Sequence, residues 1–285
     1  MTTLAVFLDT LASRFDGAGL EYGHGTDNAW DEAVALSLGV LNWSDDAANL
    51  NREIPPDAQL QIEQLVQRRI AERVPVPLLL GRAWFAGHEF NVAKNVMVPR
   101  SPFAELIRQG FSPWLNEAPR QILDLCAGGG SIGIACALHW GDARVVLGEV
   151  DAVACELAKA NIAKHGLGKR VRVVQSDLFE SIDGRFDLIV SNPPYVPTND
   201  SDARGGEFQH EPDRAFDGGP DGMALVSELL VSAPEYLLPD GNLFVEVGQY
   251  RAELEQRYPK LPFVWPDLCE GGEGVFLLAA RDIPG

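Results

Sequence analysis

Apolar residues recur at helical spacing over residues 4–17, where Leu4, Phe7, Leu8, Leu11 and Phe15 share a face until Gly17 and Gly19. That stretch predicts an amphipathic helix. Asp27 or Asn28 is placed to cap a second helix running through Trp30, Val34, Leu36 and Leu38. A third, over 56–74, opens on prolines suited to a first turn and turns Leu60, Ile62, Leu65, Val66 and Ile70 inward. Residues 1–76 are thus expected to be a helical domain. The helical period then stops. Leu78, Leu79 and Leu80, Ala83-Trp84-Phe85, Gly87 and Phe90-Asn91-Val92 predict a β-hairpin linker over 77–100, followed by an amphipathic stretch at 103–111.

From Gln121 the pattern changes to short apolar runs alternating with helical stretches, which argues for a parallel sheet covered on both faces. Strands are expected at 122–126, 145–150, 171–175, 186–191, 242–247, near Phe263 and at 275–279, with helices at 132–140, 152–165 and 223–237. Residues 101–285 read as one α/β domain. The segment 197–222, glycine-rich and acidic, is long for a loop in a compact domain and is expected to gate substrate as a lid.

Composition narrows the class. No uninterrupted apolar run approaches the roughly 18 residues of a membrane span, and no basic start precedes an apolar run at the N-terminus, so a soluble, cytoplasmic protein is expected. The formal net charge is -18, which disfavours stable direct binding to a nucleic acid backbone and suits a basic partner. Cys126, Cys136, Cys155 and Cys269 form no C-x-x-C pair and read as buried thiols; no metal site is expected.

The candidate chemistry gathers at strand ends. Ser191-Asn192-Pro193-Pro194-Tyr195 leaves the apolar run 186–190, and its prolines donate no N–H and fix φ. The Asn192 side-chain oxygen and the Asn192 and Pro193 carbonyls then form a fork of acceptors for one NH2 group. Tyr195 can close the slot with its ring, and His210 and Glu211 in the long loop are candidates to shape it. A turn rich in glycine, Gly128-Gly129-Gly130, follows the first strand, behind Asp124. It departs from a dinucleotide fingerprint: no phosphate-binding lysine follows, and Asp124 suits a cation better than a pyrophosphate. Glu149 and Asp177 end the next two strands. A sulfonium ligand with an amino-acid tail and an adenosine fits this set, with Asp124, Gly128 and Gly130 near the amino-acid part, Glu149 on the ribose and Asp177 on the adenine amine. His24, in the turn 22–26, and the proline-flanked Arg100 stand open to structural or cleft-lining roles.

Asp124-Leu125-Cys126-Ala127-Gly128-Gly129-Gly130, Glu149, Ser176-Asp177-Leu178-Phe179 and Asn192-Pro193-Pro194-Tyr195 together resemble the S-adenosylmethionine-dependent protein glutamine N(5)-methyltransferases. Residues 22–28, Trp30-Asp31-Glu32-Ala33, Gly87-His88-Glu89-Phe90, Pro99-Arg100-Ser101-Pro102 and His210-Glu211-Pro212 are similar to the branch acting on ribosomal protein L-three, and the sequence after Arg100 differs from that of the release-factor branch. Ala127, Gly129 and Glu149 stand where the family usually has Thr, Ser and Asp. The resemblance implies a Rossmann-like class I methyltransferase domain with a seven-stranded, mostly parallel sheet, a substrate-recognising N-terminal domain and probing of a glutamine by Asn192, Pro193, Pro194 and Tyr195. It implies S-adenosylmethionine bound at Asp124, Gly128, Gly130, Glu149, Asp177 and Asn192, and a monomer as the working unit. Release-factor methylation, adenine N(6)-methylation and a non-catalytic adaptor remain the competing readings.

Overall fold

The apolar positions of residues 4–17 do share one buried face: helix α1 (Leu4–Gly17) buries Leu4, Phe7, Leu8, Leu11 and Phe15. The computed structural model describes residues 2–202, 206–270 and 273–284. Helix α2 (Ala29–Leu41) starts at Asn28, whose side chain accepts from the Asp31 N–H at 2.9 Å and so decides between the two candidate caps. Helix α3 (Pro56–Ala71) carries proline in its first turn and buries Ile62 and Val66. Leu60, expected inward, is 63% exposed. The interior position at the far end of that helix belongs instead to Arg69, fully buried between Glu32 of α2 and Glu207. Spacing assigns residues to a face, but which of them lie at its margin depends on what packs against it.

Leu78, Leu79 and Leu80 are not part of the hairpin. They lie in a short helix, α4 (Val76–Leu80), entered through Pro75 and closed by a left-handed Gly81. Strand β1 (Arg82–Phe85) then pairs antiparallel with β2 (His88–Asn91) across Ala86 and Gly87. Both turn residues have positive φ, as a two-residue turn between right-twisted strands requires.

After α5 (Phe103–Arg108) comes the main sheet: β3 (Gln121–Leu125), β4 (Arg144–Glu149), β5 (Val171–Gln175), β6 (Phe186–Ser191), β7 (Leu237–Glu246) and β8 (Val275–Ala279). Their spatial order is β5-β4-β3-β6-β7-β8, parallel throughout except for the β7–β8 pair. Helices α6 (Ser131–His139), α7 (Ala152–Lys164), α8 (Thr198–Asp202), α9 (Ala224–Tyr236) and α10 (Arg251–Arg257) connect the strands. The α/β class and the mostly parallel sheet are as expected. The sheet of described residues has six strands, not seven: near Phe263 there is only a bridge from Val264 to Leu277. Pro262 and Pro266 flank that segment and donate nothing to a ladder.

Period-two alternation sends Ile122, Leu188 and Phe244 into one apolar layer with α5 and α6, and Leu123, Ile189 and Leu243 into the other with α9. A separate apolar cluster joins α1, α2 and α3. The thiol reading needs one correction: no cysteine is paired, but Cys269 is exposed. It follows Leu268 in a stretch outside strand and helix, where no periodicity directs a side chain inward.

Candidate active site

The strand order turns back between β3 and β6, so the connections leaving these two strands diverge and open a crevice at their C-terminal ends. Register decides what stands there. Leu125 pairs with Gly148 on one side and Ser191 on the other, and Ser191 pairs with Val245. One residue further on, Glu149, Cys126, Asn192 and Glu246 therefore form a row along the edge. The Ser191 hydroxyl donates to the Leu125 carbonyl at 2.8 Å, locking the end of β6 to β3.

The glycines of the turn after β3 have different tasks. Gly128, at φ 55°, has open space where a Cβ would project. A Cβ at Gly130 would lie 2.9 Å from Leu147, and one at Gly133 2.3 Å from it, so these two let α6 pack closely on β4. Asp124 lies fully buried beneath the turn; its Oδ2 accepts from the Gly133 N–H at 2.7 Å, and its Oδ1 has no partner among the described residues. Burial pushes its carboxyl up to about 7, opposed by the Gly133 N–H and reinforced by the charge of Glu149. Glu149 accepts from the N–H groups of Gly128 at 2.7 Å and Asp151 at 2.8 Å. It thus ties the glycine turn to the start of α7. Burial raises its pKa, and those two backbone donors oppose the rise. Asp177 is exposed at the end of β5, near enough for its charge to join burial, Glu149 and Asp124 in raising the Cys126 thiol.

Asn192 is half-buried, and its amide makes no hydrogen bond to any described residue. It lines a cleft of about 670 Å³ with Pro193, Tyr195, Arg100, Glu246 and, from the turn between α1 and α2, Gly25 and Asp27. The Tyr195 hydroxyl donates to Glu246 at 3.0 Å, and the Ser101 hydroxyl donates to the other Glu246 oxygen at 2.5 Å. The Tyr195 ring is thereby held against the wall, and Gly248 makes room for it: a Cβ there would sit 3.0 Å from the ring. Burial pushes Glu246 up to about 7, against the two hydroxyl donors and Arg100.

The long loop after Tyr195 corrects the lid expectation, for which residues 203–205 lie outside the described residues. Its described part is a strap fastened at both ends. Val196 and Asp217 form a parallel bridge, with the Val196 N–H donating to Phe216 at 2.9 Å and the Gly218 N–H to Val196 at 2.8 Å. Glu207 takes Arg69 and the Glu21 N–H. Glu211 accepts both Arg100 Nη groups, at 2.7 and 2.6 Å, the Val98 N–H at 2.7 Å, and lies 3.2 Å from His24 Nε2. Burial would raise the Glu211 pKa, but His24 and Arg100 outweigh it and hold the carboxyl at about 2. With every oxygen engaged, Glu211 positions Arg100 and His24 and offers no acceptor to a substrate. His210 is also displaced from its expected place: its Nε2 lies 2.8 Å from the Glu72 carbonyl beyond α3, and it does not line the cleft. Sequence order puts it near Asn192; the strap's path carries it to the helical side.

Two groups escaped the sequence reading. Glu246 ends a strand as Glu149 does, a signal that was available. Ser101 had none, because only the tertiary fold brings it to Glu246.

A methyltransferase small domain model matches residues 111–208. The ribosomal protein uL3 glutamine methyltransferase of Francisella tularensis subsp. tularensis is 40% identical over 99% of this chain and 91% of its own. That of Neisseria gonorrhoeae is 40% identical over 100% of this chain and 97% of its own. Among solved structures, the hMettl16 catalytic domain in complex with the MAT2A 3'UTR hairpin 6 covers 86% of this chain and 91% of that chain, with a TM-score of 0.55 at 13% identity. A methyltransferase from Pyrococcus furiosus covers 79% and 98%, with a TM-score of 0.50 at 20% identity. These two show the methyltransferase fold. Identity sustained from end to end, through the helices as well as the sheet, shows more: the chain belongs to the family of ribosomal protein uL3 glutamine methyltransferases.

Proposed function

We propose that this protein transfers a methyl group from S-adenosylmethionine to the side-chain amide nitrogen of a glutamine in large-subunit ribosomal protein uL3. The observation that carries the reading is the unpartnered Asn192 amide at the sheet edge, in a cleft lined on another side by the turn before α2. The residues fit the cofactor. Asp124 sets a buried, unpartnered carboxyl oxygen beneath the glycine turn, Gly128 leaves open space, and Glu149 stands at the next strand end for ribose hydroxyls. Asp177 stands exposed at the neighbouring strand end for the adenine amine. When bound, S-adenosylmethionine supplies an electrophilic methyl on a sulfonium.

A glutamine amide nitrogen is a weak nucleophile because its lone pair is delocalised into the carbonyl. The Asn192 oxygen and the Pro193 carbonyl accept its two N–H bonds and turn its π face toward the sheet edge. Pyramidalisation is then favoured electrostatically; with the cofactor bound, the nitrogen–methyl bond would form as the sulfur–methyl bond breaks, leaving a neutral thioether, and the methylated amide would then lose one proton. Tyr195, anchored by Glu246, keeps the slot narrow and dry. The residues 1–76 would recognise the substrate, and a monomer acting in the cytoplasm, where ribosomal proteins are made, is sufficient.

The test is mass spectrometry of ribosomal proteins from cells lacking the enzyme. One glutamine of uL3 should be lighter by one methyl group, about 14 Da, with the mass restored by the wild-type gene and not by Asn192→Ala. A lost methyl on a release factor or on adenine would overturn the substrate assignment, and no lost methyl at all would favour an adaptor.

A further inference from the structure

The catalytic cleft does not end at its own mouth. A second groove, of about 790 Å³, runs between α2 and the β1–β2 hairpin and shares Gly25, Asp27, Trp84 and Pro99 with the first. A glutamine seated at Asn192 is one residue of a chain, so its neighbours must leave the cleft across a wall. The shared wall opens onto a ready-made trough, and four extended residues cover only about 13 Å.

The trough has a definite chemistry. Val34, Ala35 and Leu38 of α2 give it an apolar side. Asp27, Asp31 and Asp45 are exposed along it. Asp27 and Asp45 make no ion pair with any described residue. The basic residue lining it, Arg82, is already spent on Glu89, the Gly39 carbonyl and Asn42. Trp84, at the shared wall, is 69% exposed, an unusual state for so large an apolar side chain. Trp43, on the same groove, holds Arg52 with the guanidinium 3.7 Å from the ring centre, so a tryptophan of this groove already accepts a guanidinium face.

We propose that this groove seats the basic segment of the substrate protein that flanks the target glutamine, an inference that rests on the function proposed above. Lysine and arginine stems lie on the apolar side of α2, their heads meet Asp27 and Asp45, and one cation stacks on Trp84. The occupant is a peptide chain, not a nucleic acid, since phosphates would meet uncompensated carboxylates here. The acidic groove thereby selects a protein by its flanking charge, while the fork selects glutamine.

The experiment measures methyl transfer by the full-length enzyme to purified uL3, and to two peptides with one central glutamine flanked either by lysines or by glutamates. Asp45→Lys, outside the catalytic cleft, should raise KM for uL3 by about tenfold at low salt while kcat holds, because steering and docking are lost but not chemistry, and Asp27→Lys and Trp84→Ala, at the wall the two clefts share, should raise KM at least as much. The deficit of the charge reversals should shrink as salt rises. The lysine peptide should outcompete its glutamate twin on wild type and lose that advantage on Asp45→Lys. Unchanged melting temperature and cofactor affinity in the variants exclude a folding defect. A KM for uL3 unmoved in all three variants, or equal use of the two peptides by wild type, overturns the groove while leaving the function standing. A wild-type enzyme that binds the cofactor and leaves uL3 unmodified overturns the function, and the groove with it.

Discussion

At the residue scale, Asn192 illustrates how much one side chain can owe to its strand. Nothing binds its amide within the described residues, yet β6 is fixed on both sides, so the amide projects from a rigid edge. That predicts a separation of roles: Asn192→Ala should leave cofactor binding largely intact and lower kcat about a hundred- to a thousandfold, the loss seen when one positioned donor or acceptor is removed from a transition state. Calorimetric titration and single-turnover kinetics check the two halves. Retained turnover would remove the fork from the mechanism. Glu211 shows the reverse case: a residue next to the suspect histidine, legible as polar and loop-borne, becomes a fully engaged structural carboxylate once Arg100, Val98 and His24 converge on it.

At the scale of elements, the strap 206–222 is the surprise. A glycine-rich acidic stretch reads as a loose loop, because composition records charge but not the cations that neutralise it. Here Arg69 and Arg100, far away in sequence, bury its two glutamates. The strap in turn lines the cleft through Ala215 and Phe216. Glu211→Gln strands Arg100 and should destabilise the protein by about 3 kcal/mol, the usual cost of removing one partner from a buried pair. Urea unfolding measures that cost, and kcat should fall in parallel as the cleft wall loosens. Glycines add a second fastening, since a Cβ at Gly218 would sit 2.5 Å from the Gly222 carbonyl and 2.8 Å from that of Pro194. The strap therefore packs against Pro194 and Tyr195, just after Asn192 and Pro193.

For the whole molecule, the buried carboxyls set opposing dependences on pH. Asp124 and Glu246 keep their protons up to about 7 in the folded state, against ordinary values of 3.8 and 4.5. Because the folded protein binds more protons than the unfolded chain across that interval, their contribution to stability is complete below it and lost as pH rises through it. Glu211, held at about 2, acts in the other direction: its contribution is present above 4.5 and lost as pH falls toward 2. Glu246→Gln should therefore flatten the decline in unfolding free energy between pH 4.5 and 7, measured on the cofactor-free protein by urea unfolding. An unaltered slope would mean that Glu246 is charged throughout. The formal net charge of -18 suits association with a basic partner that salt weakens.

Local pattern and chain connectivity determined a good deal. Periodicity placed α1, α2 and α3 and the strands of the parallel sheet; Asn28 and the Ala86-Gly87 turn follow from short-range chemistry; and the ends of β3, β4 and β6 carried Gly128, Glu149 and Asn192 to one edge because parallel strands share a direction. Except in two proline-bounded segments, the deciding partner behind a failed expectation was remote. Leu60 is exposed and Arg69 buried because of what α2 and the strap present to α3. Leu78 to Leu80 coil instead of pairing because prolines start a helix there, and Val264 makes a bridge because prolines flank it. His210 turns to Glu72, Ser101 reaches Glu246, and the groove beside Trp84 exists only once α2 and the hairpin meet. Period and propensity act over a few residues, so they specify elements and their ends. Burial of charge, hydrogen bonds across more than a hundred residues and the shape of a cleft depend on distances that only the closed fold creates.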